Sequence, residues 1–134
     1  MRTPIVATMA TASGTFEVRI EPREHDQAGI GRMSLAKTWH GDLAGTGVGT
    51  MLSAGDPSTG SAGYVALETV DGTLAGRHGS LAFQQLGTMH AGDQALQYAI
   101  VPGSGTGALT GITGTLRLEI VEGEHRYLLT YALD

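Results

Sequence analysis

Two acids in this chain stand where a carboxylate could do chemistry, Glu68 and Glu17. Glu68 sits in Tyr64-Val-Ala-Leu-Glu-Thr-Val70 and shares a face with Tyr64, Ala66 and Val70. If that face points into an apolar interior, burial would raise its pKa toward the range useful for proton transfer. If it points outward, Glu68 is an ordinary solvated residue. A third reading makes it a buried structural acid paired with Lys37 or an arginine. Glu17 alternates with Arg19 and Glu21 opposite Phe16, Val18 and Ile20, a pattern that places it on a solvent face.

Around these acids lie polar and aromatic groups that could line a cavity. Trp39 is the single Trp and offers a rigid apolar wall with one donor. Tyr64 and Tyr127 carry hydroxyls suited to anchoring a mostly apolar ligand, although Tyr127 and Tyr131 also read as plain strand packing. Gln85 shares a face with Leu81 and Phe83; Gln97 stands mid-strand beside Leu96 and near Ile100, and both are expected inward. The histidines (His25, His40, His78, His90 and His125) show no metal-binding spacing, so no metal site is expected. Gly103-Ser-Gly-Thr-Gly107 lacks the Lys and the following helix of a phosphate loop, and Ser104 lacks the glycine spacing of a nucleophile elbow. A wide turn is the remaining reading.

The elements that must hold these residues are strands. Phe16, Val18 and Ile20 alternate with charged residues over 15–21, which is period two without a fault. Similar segments follow at 32–40, 46–53, 63–70, 80–89, 94–101, 113–121 and 126–133, with turn-rich stretches between them. Asp71-Gly72 has the composition of a hairpin turn, and so has Arg77-His78-Gly79. The motif G-x-L-x-G recurs at Gly41–Gly45, Gly72–Gly76 and Gly107–Gly111, as if one corner were repeated in a curved sheet. Eight short strands and no helical period predict an all-β, antiparallel eight-stranded barrel, whose closure removes exposed edges. Such a barrel has room for packed side chains or one small ligand.

At 134 residues the chain is one domain, 1–134, with 1–13 as an extended leader that lacks the apolar core of a signal peptide. The net charge of −5 and the absence of a basic stripe argue against nucleic acid and anionic membrane as partners. The lack of Cys excludes disulfides, thiolate metal sites and thiol catalysis, and it fits a reducing cytoplasm.

The glycine motifs also carry a likeness. Trp39-His-Gly-Asp-Leu-Ala-Gly-Thr, Ala66-Leu-Glu-Thr-Val-Asp-Gly-Thr-Leu-Ala-Gly-Arg-His-Gly-Ser-Leu, the run from Val101 to Gly111, and Glu122-Gly-Glu-His-Arg-Tyr together resemble a family of small bacterial proteins of unknown function with an allene oxide cyclase-like, or calycin-like, barrel. The resemblance spans Gly14 to Leu133 and implies architecture and an oligomer more than chemistry. Gln85 stands where that family often has His, and an amide cannot serve as a general base. Glu17 is similar in context to the first-strand Glu with which allene oxide cyclase steers its substrate.

The resulting expectation is a cofactor-free barrel that holds a small apolar organic molecule. Glu68 and Glu17 are its candidate catalytic acids; Trp39, Tyr64, Gln85, Gln97 and Tyr127 are its candidate ligand contacts. If it is an enzyme, the reaction would be a cyclisation or isomerisation, which needs shape and one or two polar groups more than a nucleophile. The alternatives are a non-catalytic carrier or sensor, and a solid barrel acting through an oligomer interface. Apolar residues on both faces of the last strand, Leu128 and Ala132 included, predict a homo-oligomer, with a dimer favoured.

Overall fold

A computed structural model describes residues 8–24 and 27–133. Eight antiparallel strands run in sequence order: β1 Met9–Arg23, β2 Gly31–Gly41, β3 Leu43–Asp56, β4 Ser61–Leu74, β5 Arg77–His90, β6 Asp93–Ile100, β7 Thr113–Val121 and β8 Glu124–Ala132. They close into a barrel, with β8 paired to β1. Of the expected leader, residues 1–7 lie outside the described residues, as does His25, while Met9 to Ser13 form the start of β1 against β8.

Alternation explains the wall. Phe16, Leu35, Trp39, Val70, Phe83, Tyr98, Leu116 and Leu129 face inward and are buried. Their neighbours in sequence face out, as period two requires. The wall is uneven. β6 and β7 are joined by one register pair, Ala99↔Thr115, whereas β4 and β5 pair continuously from Ala62↔Met89 to Leu74↔Arg77.

One end of the barrel is plugged. In an up-and-down meander the β2–β3, β4–β5 and β6–β7 connections all fall at the same end, and these connections carry the three glycine motifs. Each inserts its Leu: Leu43, Leu74 and Leu109 are each 1% exposed, and Ile112 fills the space beside them. The Ala75 N–H donates to the Asp42 carbonyl at 2.9 Å, tying two of these corners together. The third corner laps back over β5, where Thr106 N–H donates to the Ser80 carbonyl at 2.8 Å. The expected wide turn around Ser104 is part of this plug, with the Ser104 hydroxyl donating to the Val101 carbonyl at 2.7 Å.

Two expected turns lie elsewhere. Asp71-Gly72 is inside β4, and Arg77-His78-Gly79 is inside β5; the turn between them is Ala75-Gly76. Both turn residues have positive φ, 48° and 84°, the backbone that a two-residue hairpin needs. Gly72 serves a different purpose. Its Cβ would lie 2.9 Å from the Gly45 Cα, so two glycines let β3 and β4 cross closely.

Candidate functional site

The end opposite the plug is open. There the interior holds a cavity of about 530 Å³, within the range of small-ligand sites. Its walls are Met33 from β2, Met51 from β3, Tyr64 from β4, Met89 from β5, Leu96 from β6, and Leu118 with Ile120 from β7. It therefore reaches both sides of the thin β6–β7 seam. Three thioethers give this wall an adaptable, polarizable apolar surface. Leu96 and Ile120 remain 39% and 59% exposed at the lip.

Among the described residues one ionisable side chain lines this cavity, Tyr64. Gly87 lies directly across from it on β5, and a Cβ there would sit on the Tyr64 ring, so the glycine makes room for the aromatic. The Tyr64 hydroxyl donates to Gln85 Oε1 at 2.8 Å. Burial raises the Tyr64 pKa. The hydroxyl thus stays protonated at neutral pH, and with its proton given to Gln85 its oxygen is free to accept a hydrogen bond from a ligand.

Deeper in the barrel lies a polar cluster that is fully enclosed. Lys37 Nζ donates to Glu68 Oε1 at 2.8 Å and to the Tyr98 hydroxyl at 2.9 Å. Trp39 Nε1 donates to Glu68 Oε2 at 2.9 Å. The Lys37 and Glu68 side chains are 4% and 1% exposed. The Lys37 ammonium also lies 4.5 Å from the centre of the Phe16 ring, within cation–π range. Burial lowers the Lys37 pKa, against the opposing pull of the Glu68 charge and hydrogen bond. The Tyr98 pKa is raised well above its usual value by burial first, and then by the nearby Glu68 carboxylate.

The backbone makes space for this cluster. On β3, Gly47 and Gly49 face the Glu68 side chain; a Cβ on Gly47 would collide with Glu68 Oε2, and one on Gly49 would lie 3.1 Å from the Glu68 Cβ. Register does the rest, because Val18↔Lys37, Lys37↔Gly47 and Gly49↔Glu68 bring distant residues to one level of the barrel.

The sequence-derived candidates therefore separate. Tyr64 is at the cavity, and Gln85 is hydrogen-bonded to it. Glu68 is inward, in the arrangement of the third reading, with Lys37 as its partner. Trp39 is 1% exposed, packed against Phe16, Phe83 and Tyr127 beneath the cavity. Tyr127 belongs to the plugged end: its hydroxyl accepts from Leu43 N–H at 3.0 Å and donates to the His40 carbonyl at 2.9 Å. Two of the placements need correction or narrowing. Gln97, expected inward, faces solvent, because period two puts Leu96, Tyr98 and Ile100 on the inner face and 97 on the other. Glu17 is on the outer wall, 3.7 Å from His40, as its alternation with Arg19 predicts. Lys37 is expected from the sequence only as a candidate partner of Glu68, and Tyr98 is not among the expected ligand contacts. The signal for Lys37 was available: it is the one charged residue in the inward register of β2, between Leu35 and Trp39.

Among the described residues no three His, Cys, Asp or Glu side chains converge as metal ligands, and no helix is long and apolar enough to cross a membrane.

Fold and site together define a closed eight-stranded antiparallel barrel, solid at one end and hollow at the other. The chain belongs to the family described as protein of unknown function (DUF3224), whose profile matches residues 12–131. It is similar to a crystal structure of a protein of unknown function from the same family in Shewanella oneidensis MR-1, at 40% identity and a TM-score of 0.87, over 95% of this chain and 98% of that one. No curated protein matches it.

Proposed function

We propose that this protein binds a small, largely apolar organic molecule in the open end of its barrel. The observation that carries the reading is the cavity itself: about 530 Å³, walled largely by methionine and aliphatic side chains, with Tyr64, Ser53, Thr88 and Gln94 as its uncharged polar groups. A ligand of matching chemistry would have an apolar body and a few uncharged hydrogen-bonding groups. Lys37 and Glu68 neutralise each other below, and neither lines the cavity.

The geometry supports holding over turnover. Of the two candidate acids, Glu17 faces solvent and Glu68 has both oxygens engaged. Among the described residues, a cyclisation or isomerisation would have to proceed on shape and on uncharged polar groups such as the Tyr64 hydroxyl.

The test is titration with an apolar fluorophore such as N-phenylnaphthylamine, whose emission rises on leaving water. The protein is expected to bind it saturably. Ile120→Glu, which puts a carboxylate at the lip, should weaken binding by about tenfold or more, equivalent to ~1.4 kcal/mol. Equal binding by the wild type and this variant would move the ligand away from the cavity, and no binding by the wild type would sink the reading.

A further inference from the structure

The outer wall of the barrel has two unlike halves. On β7, β8, β1 and β2 the outward positions carry charge, as at Arg117, Glu119, Arg126, Glu17, Arg19 and Arg32. On β3 to β6 the outward positions between Asp71 at one end and His90 with Asp93 at the other carry none. Instead Val48, Leu52, Val65, Leu67 and Leu86 stand out at 63%, 42%, 47%, 60% and 48% exposure. Between them runs a groove of about 530 Å³, lined in part by Leu52, Leu67, Gln84 and Gln97.

We infer that this uncharged wall of β3–β6 is the interface through which two copies of the chain form a two-fold dimer. Four strands at about 4.8 Å spacing, and Gly63 to Thr69 at about 3.3 Å per residue, give a face roughly 19 by 23 Å. That is about 440 Å² in plan, a little over half of the ~800 Å² that each partner contributes to a standard interface, so the contact is at the small end of the range. A patch of this extent is among the largest that a single domain exposes, and such patches are often contact surfaces.

The occupant follows from chemistry. A two-fold interface sets each patch against itself, so any charge on it would meet its own like charge. This is the half of the wall that avoids that conflict, on a chain whose net charge of −5 makes copies repel elsewhere. Its polar groups, the Gln84 and Gln97 amides and the Thr50 and Thr69 hydroxyls, each both donate and accept, so an identical surface can satisfy them. Val48 stands beside the groove rather than in its lining, and it supplies a knob for the groove of the other copy. The contact lies on the outside of the barrel and leaves the cavity free. It differs from the outer face of β8, where Leu128 sits next to Arg126 and opposite Arg117.

Sedimentation equilibrium of the wild type, Leu67→Arg, Gln84→Glu and Leu128→Arg is the test. The wild type is expected at twice the 13.9 kDa chain mass. Leu67→Arg should raise the dimer Kd by ~100-fold or more, because it desolvates an unpaired charge at the contact. Gln84→Glu, an exposed substitution that leaves the interior untouched, should do so by ~10-fold or more through like-charge apposition. Leu128→Arg should stay dimeric. A monomeric wild type would overturn the inference, as would a dimer that survives Leu67→Arg and Gln84→Glu but dissociates with Leu128→Arg.

Discussion

A lysine and a glutamate enclosed in a barrel of 134 residues must each lose their water, at a cost of several kcal/mol per ion. The site offsets this by density of contact. Glu68 receives Lys37 and Trp39 on its two oxygens, and Lys37 adds Tyr98 and the face of Phe16. Among the described residues no buried side-chain nitrogen or oxygen lacks a hydrogen-bond partner. The pair is poised against loss of one member more than it is a source of net stability. Glu68→Gln, which leaves Lys37 without its counter-charge, should cost about 3–5 kcal/mol in urea unfolding. The double variant Lys37→Met with Glu68→Leu should recover part of that, leaving Trp39 Nε1 and the Tyr98 hydroxyl to be satisfied anew. A Glu68→Gln protein as stable as wild type would show that the two charges do not hold each other. The pair was only half legible in the sequence. Each charged residue stands out in an apolar alternation, but 31 positions separate them, and their meeting depends on a register that runs through β3.

At the scale of strands and corners, glycine acts by what it leaves out. Gly47 vacates the space that the Glu68 carboxylate fills, and Gly87 the space of the Tyr64 ring. Gly47→Ala should therefore cost about 1–3 kcal/mol by thermal or chemical unfolding, the range for forcing a group into a filled interior. Gly63 is the control on the neighbouring strand: its added Cβ would meet nothing nearer than the Gly87 carbonyl oxygen at 3.6 Å, so Gly63→Ala should be neutral or slightly stabilising. Equal losses in the two variants would remove the steric account. The strands themselves were readable because alternation is strong wherever one face is buried and the other wet, as at Phe16-Glu-Val-Arg-Ile20. The turn at Ala75-Gly76 was not, since Ala is an uncommon residue at positive φ and the Asp71-Gly72 dipeptide four positions earlier has the better turn composition.

Seen whole, the barrel is divided twice, along its axis and around it. Along the axis, the three G-x-L-x-G corners plug one end with Leu43, Leu74 and Leu109, and the cavity occupies the other. This polarity was implicit in the chain order, because every second connection of a meander falls at the same end, and the motifs occupy three such connections. Around the axis, the charged half of the wall gives way to the uncharged half at β3–β6. That division was hidden until the parity of each strand was fixed; Gln97 moved from the inside to the outer groove by a shift of one residue. Occupancy of the open end by a small apolar molecule would tie these divisions together. It is tested most directly by native mass spectrometry of the protein as purified, and again after incubation with an excess of neutral, medium-chain alcohols and ketones. A discrete small organic mass is expected, one per barrel, that leaves on denaturation and is lost in Ile120→Glu. A bare chain mass in both samples would contradict it.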